Sequence, residues 1–449
     1  MPRLMIHAVT LAAAVLLLAV PGADLIAASP EPTVVLEVPA GAQAGPDFDV
    51  EAATRAYIDL ISVEEREKSD AYSEGGYWLQ LWGFLYGLGV AWLLLGTRLS
   101  ARMRDLTTRI TRRLPLQTAL YAVQYVALTT LLVFPLTVYQ DFFREHQYGF
   151  ATQTLGPWLG DQGMGLLVNV VLAAVAMMLV YAAIRRMPRR WWVGGAVAAM
   201  FFFVVVNTIA PVYIAPLFND YQTLDAGPTR DGILSMAHAN GIPADDVYWF
   251  DASRQTTRIS ANVSGLLGTM RVALNGNLLK ETSPQEIEAV MAHEMGHYVL
   301  NHAWESIIYF SLLLLGGFAF VKWTFDKALA RWGQRWGVSG VADTAGLPLL
   351  LALFSVYFFL MTPVFNAIIR SGETEADLFA LNASRQPDAF ARVAMRTSDY
   401  RKIEPGPLEE LIFNHHPSGR TRVHMSMQWK SQHLDEAASG DAREVASNE

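Results

Sequence analysis

Two histidines four residues apart are the residues of this sequence best suited to chemistry. His293 and His297 flank Glu294 in the stretch HEMGH, within the segment 283–302. In a helix, residues four apart lie on one face and one turn from each other, so both imidazoles can bind a single metal ion. Histidines at this spacing commonly bind zinc, and the glutamate between them commonly serves as a general base. We therefore predict a zinc hydrolase site here.

The segment around the motif has the features of one amphipathic helix. Ser283 is a good N-cap, Pro284 suits the first helical position and Glu286 completes a capping box. Apolar residues recur at helical spacing at Ile287, Val290 and Met291. Gly296 costs about 1 kcal/mol of helix stability, which indicates that another part of the chain approaches the backbone there.

A catalytic zinc ion usually has three protein ligands and one water molecule, so a third ligand is needed. His302 lies nine residues after His293, and we predict it to be a helix-end or interfacial histidine instead of a ligand. Glu373 and Asp377 are one helical turn apart, which suits a ligand with a second carboxylate behind it. Spacing alone leaves Glu375 as an alternative ligand.

The composition indicates a membrane protein. The chain has 449 residues, of which 52% are hydrophobic and only 17% are charged. It contains no cysteine, which excludes disulfides and thiolate metal sites. The net charge of −8 gives no reason to expect nucleic acid as a partner. The lipid bilayer is the expected environment.

Six apolar segments are long enough to span a bilayer, and tryptophan and tyrosine mark their ends. They are residues 78–95, 118–139, 163–184, 191–214, 306–321 and 347–369. Residues 1–28 contain Arg3 and an apolar run, and they resemble a signal peptide, with an uncleaved first transmembrane helix as the alternative. Residues 29–77 form a polar segment, with an exposed helix possible at 49–69, and 435–449 a disordered tail.

The charges of the loops predict the orientation. Loops 96–117, 185–190 and 322–346 are rich in arginine and lysine, so they should face the cytoplasm. Residues 29–77, 215–304 and 371–449 then face the opposite side. We expect a multi-pass protein of a bacterial inner membrane with its site on the periplasmic side.

The predicted fold is mainly α, a multi-pass transmembrane helical bundle with a zincin-like α+β metallopeptidase domain split around the last two spans. Four spans lie in 78–214, and two more lie in 305–370. The peptidase parts are 215–304, with the zinc helix, and 371–434, with the third ligand. A helix is predicted at 231–239 and strands at 247–250, 258–263 and 271–274.

Five ordered elements resemble the integral-membrane zinc endopeptidases related to the eukaryotic CAAX prenyl protease. HEMGH at 293–297 matches their zinc helix, and ETEADLFA matches their ExxxD element at Glu373 and Asp377. PLFN at 216–219 and SANVSG at 260–265 correspond to two further elements, the second resembling SNAYFxG. His416, with Pro417, Ser418 and Arg422, resembles the HPPxxxR element.

This resemblance implies a site in which one Zn²⁺ ion per chain cleaves a polypeptide substrate. It assigns metal binding to His293, His297 and Glu373. It assigns general-base catalysis to Glu294, donation to the developing oxyanion to His416, orientation of a ligand histidine to Asp377, and substrate binding to Asn262 and Arg422.

Departures from the family pattern concern the substrate. Val263 and Ser264 replace an aromatic pair, and Asn275-Gly276 stands where Asp-Thr is common. The eukaryotic relatives place the HExxH side in the cytosol, whereas the loop charges here place it outside, away from prenylated proteins. Quality control of membrane or exported proteins is therefore the preferred role. CAAX-type processing and a non-catalytic membrane chaperone or binding protein remain alternatives, and the oligomeric state is open.

Overall fold

The computed structural model describes residues 37–264 and 271–434, except for the side chain of Ser264. Residues 1–28, predicted as a signal peptide or first membrane helix, and the tail 435–449 lie outside the described residues. Gly265, the last residue of the SANVSG element, also lies outside them.

Helices dominate the described chain. The first six numbered helices are α1 Val50–Ile58, α2 Val63–Gly96, α3 Leu99–Ile110, α4 Leu114–Val138, α5 Leu155–Arg186 and α6 Trp191–Ile209; the short helix Arg144–Gln147 continues α4 and is not numbered separately. The next six are α7 Pro228–Ala239, α8 Gly276–Glu281, α9 Pro284–Val299, α10 His302–Trp336, α11 Leu347–Leu360 and α12 Thr362–Ser384. The last three are α13 Pro387–Arg396, α14 Pro407–Phe413 and α15 Gly419–Gln432.

Five helical stretches of the described chain are long and apolar enough to cross a bilayer on their own. They are Val63–Gly96, Leu114–Gln147, Leu155–Arg186, Trp191–Leu217 and His302–Trp336. Two of them extend α4 and α6 through short π-helical turns, Tyr139–Phe143 and Ala210–Ile214. The predicted multi-pass helical bundle is confirmed.

The sixth predicted span, 347–369, is broken and not a straight helix. It consists of α11 and α12, which meet at Met361 with a bend of 58°. Pro363, in the first turn of α12, has no N–H to donate to the preceding turn, so the helix cannot continue unbent. Beyond the bend, α12 runs past the apolar segment and carries Glu373 and Asp377.

Two of the arginine-rich loops, 96–117 and 322–346, lie together at one end of the bundle. Two donors of Arg98 reach the backbone carbonyls of Arg335 and Gln334 at 2.8 Å. Arg104 pairs with Asp343 at 2.6 Å, which joins α3 to the connection between α10 and α11. Because α10 begins at His302, just after the HEMGH helix, and ends at Trp336 near these loops, it connects the two ends of the molecule.

A four-stranded sheet supports the motif helix. Its strands are β1 Tyr221–Thr223, β2 Val247–Phe250, β3 Ala261–Ser264 and β4 Arg271–Asn275, in the order β1-β2-β4-β3. The pair β2–β4 is parallel and the other two pairs are antiparallel. The three predicted strands are present, although β3 begins three residues later than expected. β1 was not predicted, and β3 is an edge strand.

The peptidase core packs α9 between the sheet and the C-terminal helices. Buried side chains of β2, β4, α9, α12 and α13 form one apolar cluster, which includes Val247, Leu274, Met291, Leu381 and Phe390. The two peptidase parts, which the sequence separates by two membrane helices, therefore share a single core.

The predicted exposed helix at 49–69 is two helices, and α1 buries one face, which includes Ala53, Tyr57 and Ile58. Ser62 is the last residue of the connection between α1 and α2, and it forms a capping box with Glu65 at the start of α2. Tyr57 is fully buried, and its hydroxyl donates to Asp388 at 2.7 Å. Asp388 also pairs with the buried ammonium of Lys430. The N-terminal segment is thus part of the peptidase half and packs on α13 and α15.

Candidate metal centre

The predicted helix around HEMGH is present as α9, with the predicted cap. Ser283 Oγ accepts the N–H of Glu286, and the Glu286 carboxylate accepts the N–H of Ser283 at 2.9 Å. Glu286 also accepts a hydrogen bond from Arg396 at 2.6 Å, which ties the start of α9 to α13. The capping residue thus fixes both the first turn and its orientation in the core.

α9 and α12 are in close contact at Gly296. A Cβ atom added there would lie 3.1 Å from Phe379 Cδ1 and 3.2 Å from Ala376 Cα. These distances are tighter than ordinary van der Waals contacts, so a larger side chain would push α12 away. The glycine brings Glu373, one turn earlier on α12, next to the two histidines.

The three predicted metal ligands converge. His293 Nε2 lies 3.2 Å from His297 Nε2 and 3.3 Å from Glu373 Oε2, and His297 Nε2 lies 3.7 Å from Glu373 Oε1. Two atoms bound tetrahedrally to zinc at about 2.05 Å are about 3.3 Å apart. The donor set of two imidazoles and one carboxylate therefore fits zinc in both spacing and chemistry.

His293 is held from behind by a buried ion pair. Its Nδ1 lies 2.8 Å from Asp377 Oδ1, and Asp377 is fully buried. Arg422 donates two hydrogen bonds to the same carboxylate, at 2.9 and 2.6 Å. Asp377 is thus placed to orient a ligand histidine. Arg422, predicted to bind substrate, uses its guanidinium to hold Asp377, although its side chain also lines the adjacent cleft.

His297 is held by a different set of residues. Its Nδ1 lies 2.9 Å from Nδ1 of His302, the first residue of α10. His302 Nε2 lies 3.3 Å from Glu375 Oε2. Glu375, which spacing left open as a ligand, therefore faces His302 and not the proposed metal position. The sequence predicted a helix-end histidine at 302, and its contact with a ligand could have been found only by knowing how α9 turns into α10.

The environments give the two histidines opposite proton affinities. Burial disfavours the charged form of His293, but Asp377 and Glu373 outweigh it and raise the pKa of His293 to about 10. Burial and the charge of His293 lower the pKa of His297 to about 4. Without metal, His293 is therefore protonated near neutrality and His297 is neutral.

A cleft of about 180 Å³ opens beside the motif helix. Its walls come from the end of the loop before β3, from α9 and from the C-terminal part, and they include Ser260, Glu294, Phe390, Tyr400, Arg401 and His416. Burial is the main cause that raises the pKa of Glu294 to about 7. A carboxylate with that proton affinity exchanges protons readily at neutral pH.

His416 lies within reach of the proposed metal. Its Nε2 is 3.2 Å from Glu373 Oε2. Burial, followed by the charge of Arg401, holds the pKa of His416 well below its usual range, so the ring is neutral at pH 7. A neutral imidazole in this place can donate a hydrogen bond into the cleft. Asn262 lies farther along, in the edge strand β3 opposite Ala273 of β4.

Asn275 has a role that the sequence did not indicate. Its side-chain oxygen accepts the N–H groups of Ser260 and Leu278, at 3.1 and 3.0 Å, and its amide donates to the carbonyl of Arg258 at 2.7 Å. The residue therefore caps α8 and fixes the loop that leads into β3. The sequence departs from the family pattern at Asn275, and this departure therefore affects the segments that support the cleft.

Comparisons with known proteins agree with this geometry. The model of the CAAX prenyl protease N-terminal region, described with five membrane helices, matches residues 51–220, and the model of peptidase family M48 matches residues 225–429. The chain belongs to peptidase family M48. Between them, the two models cover most of the membrane bundle and the proposed metal ligands of this M48 peptidase.

Individual relatives of this M48 peptidase match along most of its length. The uncharacterized metalloprotease YhfN of Bacillus subtilis is 28% identical over 310 residues, which are 69% of this chain and 72% of that protein. CAAX prenyl protease 1 of Saccharomyces cerevisiae is 25% identical over 313 residues, 66% of this chain and 69% of the relative. The crystal structure of S. mikatae Ste24p has the same fold, with a TM-score of 0.69 at 21% identity, and the match covers 82% and 90% of the two chains.

The family and the fold together establish the class of activity. The chain is an integral-membrane metallopeptidase with the multi-pass helical architecture and the small sheet predicted from its sequence. Its family implies a bound metal ion, a peptide substrate and a bilayer environment.

Proposed function

We propose that this M48 peptidase is a zinc endopeptidase whose ion is held by His293, His297 and Glu373. The observation that carries the proposal is the convergence of one donor atom from each residue within 4.8 Å, beside the cleft that contains Glu294. Bound there, zinc would activate a water molecule and polarise the scissile carbonyl. Asp377 and Arg422 hold His293 in the orientation that leaves its Nε2 for the metal.

Glu294 is the proposed general base. Its carboxylate takes a proton from the attacking water and passes it to the leaving amine. The positive charge of a bound metal lowers the proton affinity of this carboxylate below that of the metal-free site, which favours the base form before reaction.

His416 and Asn262 are proposed to contact the substrate. A neutral His416 donates to the scissile carbonyl oxygen as negative charge develops on it. The edge strand β3 can pair with an extended peptide, and Asn262 on this strand would bind the substrate backbone. Arg422 would contribute to substrate binding as part of the wall of the cleft, while its Nε and Nη2 donate to Asp377.

We propose that the site faces the periplasm in a bacterial inner membrane and acts in quality control of membrane or exported proteins. Support comes from two arginine-rich loops, 96–117 and 322–346, which pack together at the far end of α10 from the site. The positive-inside rule assigns that end to the cytoplasm. Cysteine-reactive probes on single cysteines at Ser339 and Ser253 would test it in intact cells. Labelling of the Ser339 variant alone by an impermeant probe would overturn the orientation.

The catalytic proposal is tested with purified protein in mild detergent. Wild type should contain one zinc ion and cleave casein, and chelator should stop the cleavage. Glu294→Gln should keep the zinc and lose activity by about 10²–10⁴-fold, because only the proton acceptor is removed. Full activity of Glu294→Gln would contradict the assignment of the base, and absence of zinc from the wild type would contradict the proposed ligands.

C-terminal processing of the CAAX type is the second candidate, and one observation favours it. The guanidinium of Arg401 lines the cleft, and no carboxylate of the described residues forms an ion pair with it. A substrate with a free C-terminal carboxylate close to the scissile bond could supply the missing partner. Such a substrate should be cleaved faster than its C-terminal amide, and Arg401→Gln should abolish the preference. Equal rates for both peptides in wild type would reject this candidate.

A further inference from the structure

The second ring nitrogen of a metal-bound histidine usually has a partner of its own. That partner fixes the tautomer and the ring orientation, and losing it typically weakens metal binding 10–100-fold. For His293 the partner is Asp377, as the sequence led us to expect. For His297 the corresponding position is occupied by another histidine, to which neither the sequence nor the family motif assigns a role.

The contacts define a chain of three side chains leading away from the metal position. His297 turns Nε2 towards His293 and Glu373, and its Nδ1 lies 2.9 Å from Nδ1 of His302. The other nitrogen of His302 lies 3.3 Å from the Glu375 carboxylate. Since a carboxylate only accepts, His302 must donate from Nε2, and its Nδ1 is left as an acceptor. His297 must then donate from Nδ1, which leaves Nε2 for the metal.

The geometry around His302 is fixed by the fold. The side chain is 7% exposed, and the residue begins α10 after Asn301, whose backbone is left-handed with φ of 60°. Gly372 of α12 packs against the ring, because a Cβ added there would lie 3.6 Å from His302 Nδ1. The ring is therefore confined between the turn that follows α9 and the helix that supplies Glu373.

We propose that His302 is a positioning residue for the metal centre: it accepts the Nδ1–H of His297 and so holds Nε2 of that ligand towards the ion. The inference rests on the proposed function, in which His297 binds zinc. Its consequence is that one ligand is coupled to the first residue of α10, the helix that reaches the arginine-rich end of the bundle.

Three substitutions of His302 can distinguish a hydrogen-bond acceptor from a side chain that only packs. In His302→Asn the amide oxygen can take the place of Nδ1 and accept from His297. In His302→Gln the polar atoms extend to the place of Nε2, towards Glu375, and in His302→Leu no acceptor remains. The measurement is the zinc dissociation constant, obtained by competition with a chromophoric chelator. Thermal unfolding of the metal-free variants reports on folding.

We expect His302→Leu and His302→Gln to raise the dissociation constant about 10–100-fold, and His302→Asn to stay within about threefold of wild type. Glu375→Gln, whose amide oxygen still accepts from His302, serves as the control and should match wild type. Equal weakening in Asn, Gln and Leu variants would show a packing role and overturn the inference, as would wild-type affinity in His302→Leu. A wild type that binds no zinc would instead overturn the proposed function, and with it the premise of this inference.

Discussion

The two proposed ligand histidines of α9, His293 and His297, differ in what supports them. His293 is backed by Asp377, which is fully buried and fixed by two hydrogen bonds from Arg422. His297 is backed by His302 and then by Glu375, whose side chain is 54% exposed. One support is a charged pair inside the protein core, and the other is a chain from an imidazole to a carboxylate that is largely exposed to solvent.

This difference shows how two residues with one role can depend on different forces. The buried pair replaces water around two charges, so removing one partner leaves the other without solvation. Altering Glu375, at the exposed end of the second chain, should cost little stability, because water can replace its carboxylate. We therefore expect the orientation of His293 to depend on the stability of the fold. The orientation of His297 should depend on local hydrogen bonds alone.

The largest expected effect comes from removing the carboxylate at the buried end. Asp377→Ala leaves the Arg422 guanidinium buried and unpaired, which should cost about 3–5 kcal/mol of unfolding free energy. The measurement is urea unfolding of the metal-free protein in mild detergent. Glu375→Ala is the matched control at the exposed end, and it should change stability by no more than about 0.5 kcal/mol. Similar losses in both variants would remove the distinction between the two supports.

A smaller effect is expected at Gly296, which lies between the two histidines on α9. Gly296→Ala gains about 1 kcal/mol in helix propensity, but its Cβ would meet Phe379 and Ala376 at 3.1–3.2 Å. Overpacking should prevail and destabilise the protein by a net of about 1–2 kcal/mol, with weaker zinc binding because α12 moves.

The control for this prediction is another helical glycine with open space around it. Gly232 in α7 has nothing within 4 Å of an added Cβ, so Gly232→Ala should stabilise the protein by up to about 1 kcal/mol. A stabilising Gly296→Ala would show that α9 and α12 are not held in close contact.

A further prediction concerns the protons of the two histidines. At pH 6 the metal-free protein carries a proton on His293, with its pKa of about 10, and none on His297, with its pKa of about 4. Zinc binding requires both rings to be neutral, so about one proton should be released per ion, and affinity should fall about tenfold for each unit that the pH drops from 6.5 to 5.

Calorimetry in two buffers with different ionisation enthalpies measures this proton count. Glu294→Gln is the appropriate background, since Glu294 has a pKa of about 7 and would add its own proton. Release of two protons or of none would show that the two histidines do not differ as their surroundings indicate.

The features that the sequence predicted correctly are those that local forces determine. The cap at Ser283, the helix of HEMGH and the strands at 247–250 and 271–274 were all visible, because capping and periodicity act within a few residues. The multi-pass architecture followed from composition in the same way. The family motif supplied Glu373 as the expected third ligand, whereas spacing alone could not separate it from Glu375.

Most of the features that were missed depend on contacts between distant segments. The burial of Tyr57 depends on Asp388, far along the chain. The break at Met361 is different, because Pro363 marks it locally and the prediction of a single apolar span overlooked that signal. The role of His302 depends on the left-handed turn at Asn301, which folds α10 back towards His297. Periodicity carries no information about such turns.

The most direct test of the account is anomalous diffraction at the zinc absorption edge from crystals of the purified protein. The account predicts one peak, bonded to Nε2 of His293, Nε2 of His297 and a carboxylate oxygen of Glu373, with His302 Nδ1 within hydrogen-bond distance of His297. A peak bonded to His302 and Glu375 instead, or a coordination that omits Glu373, would contradict it.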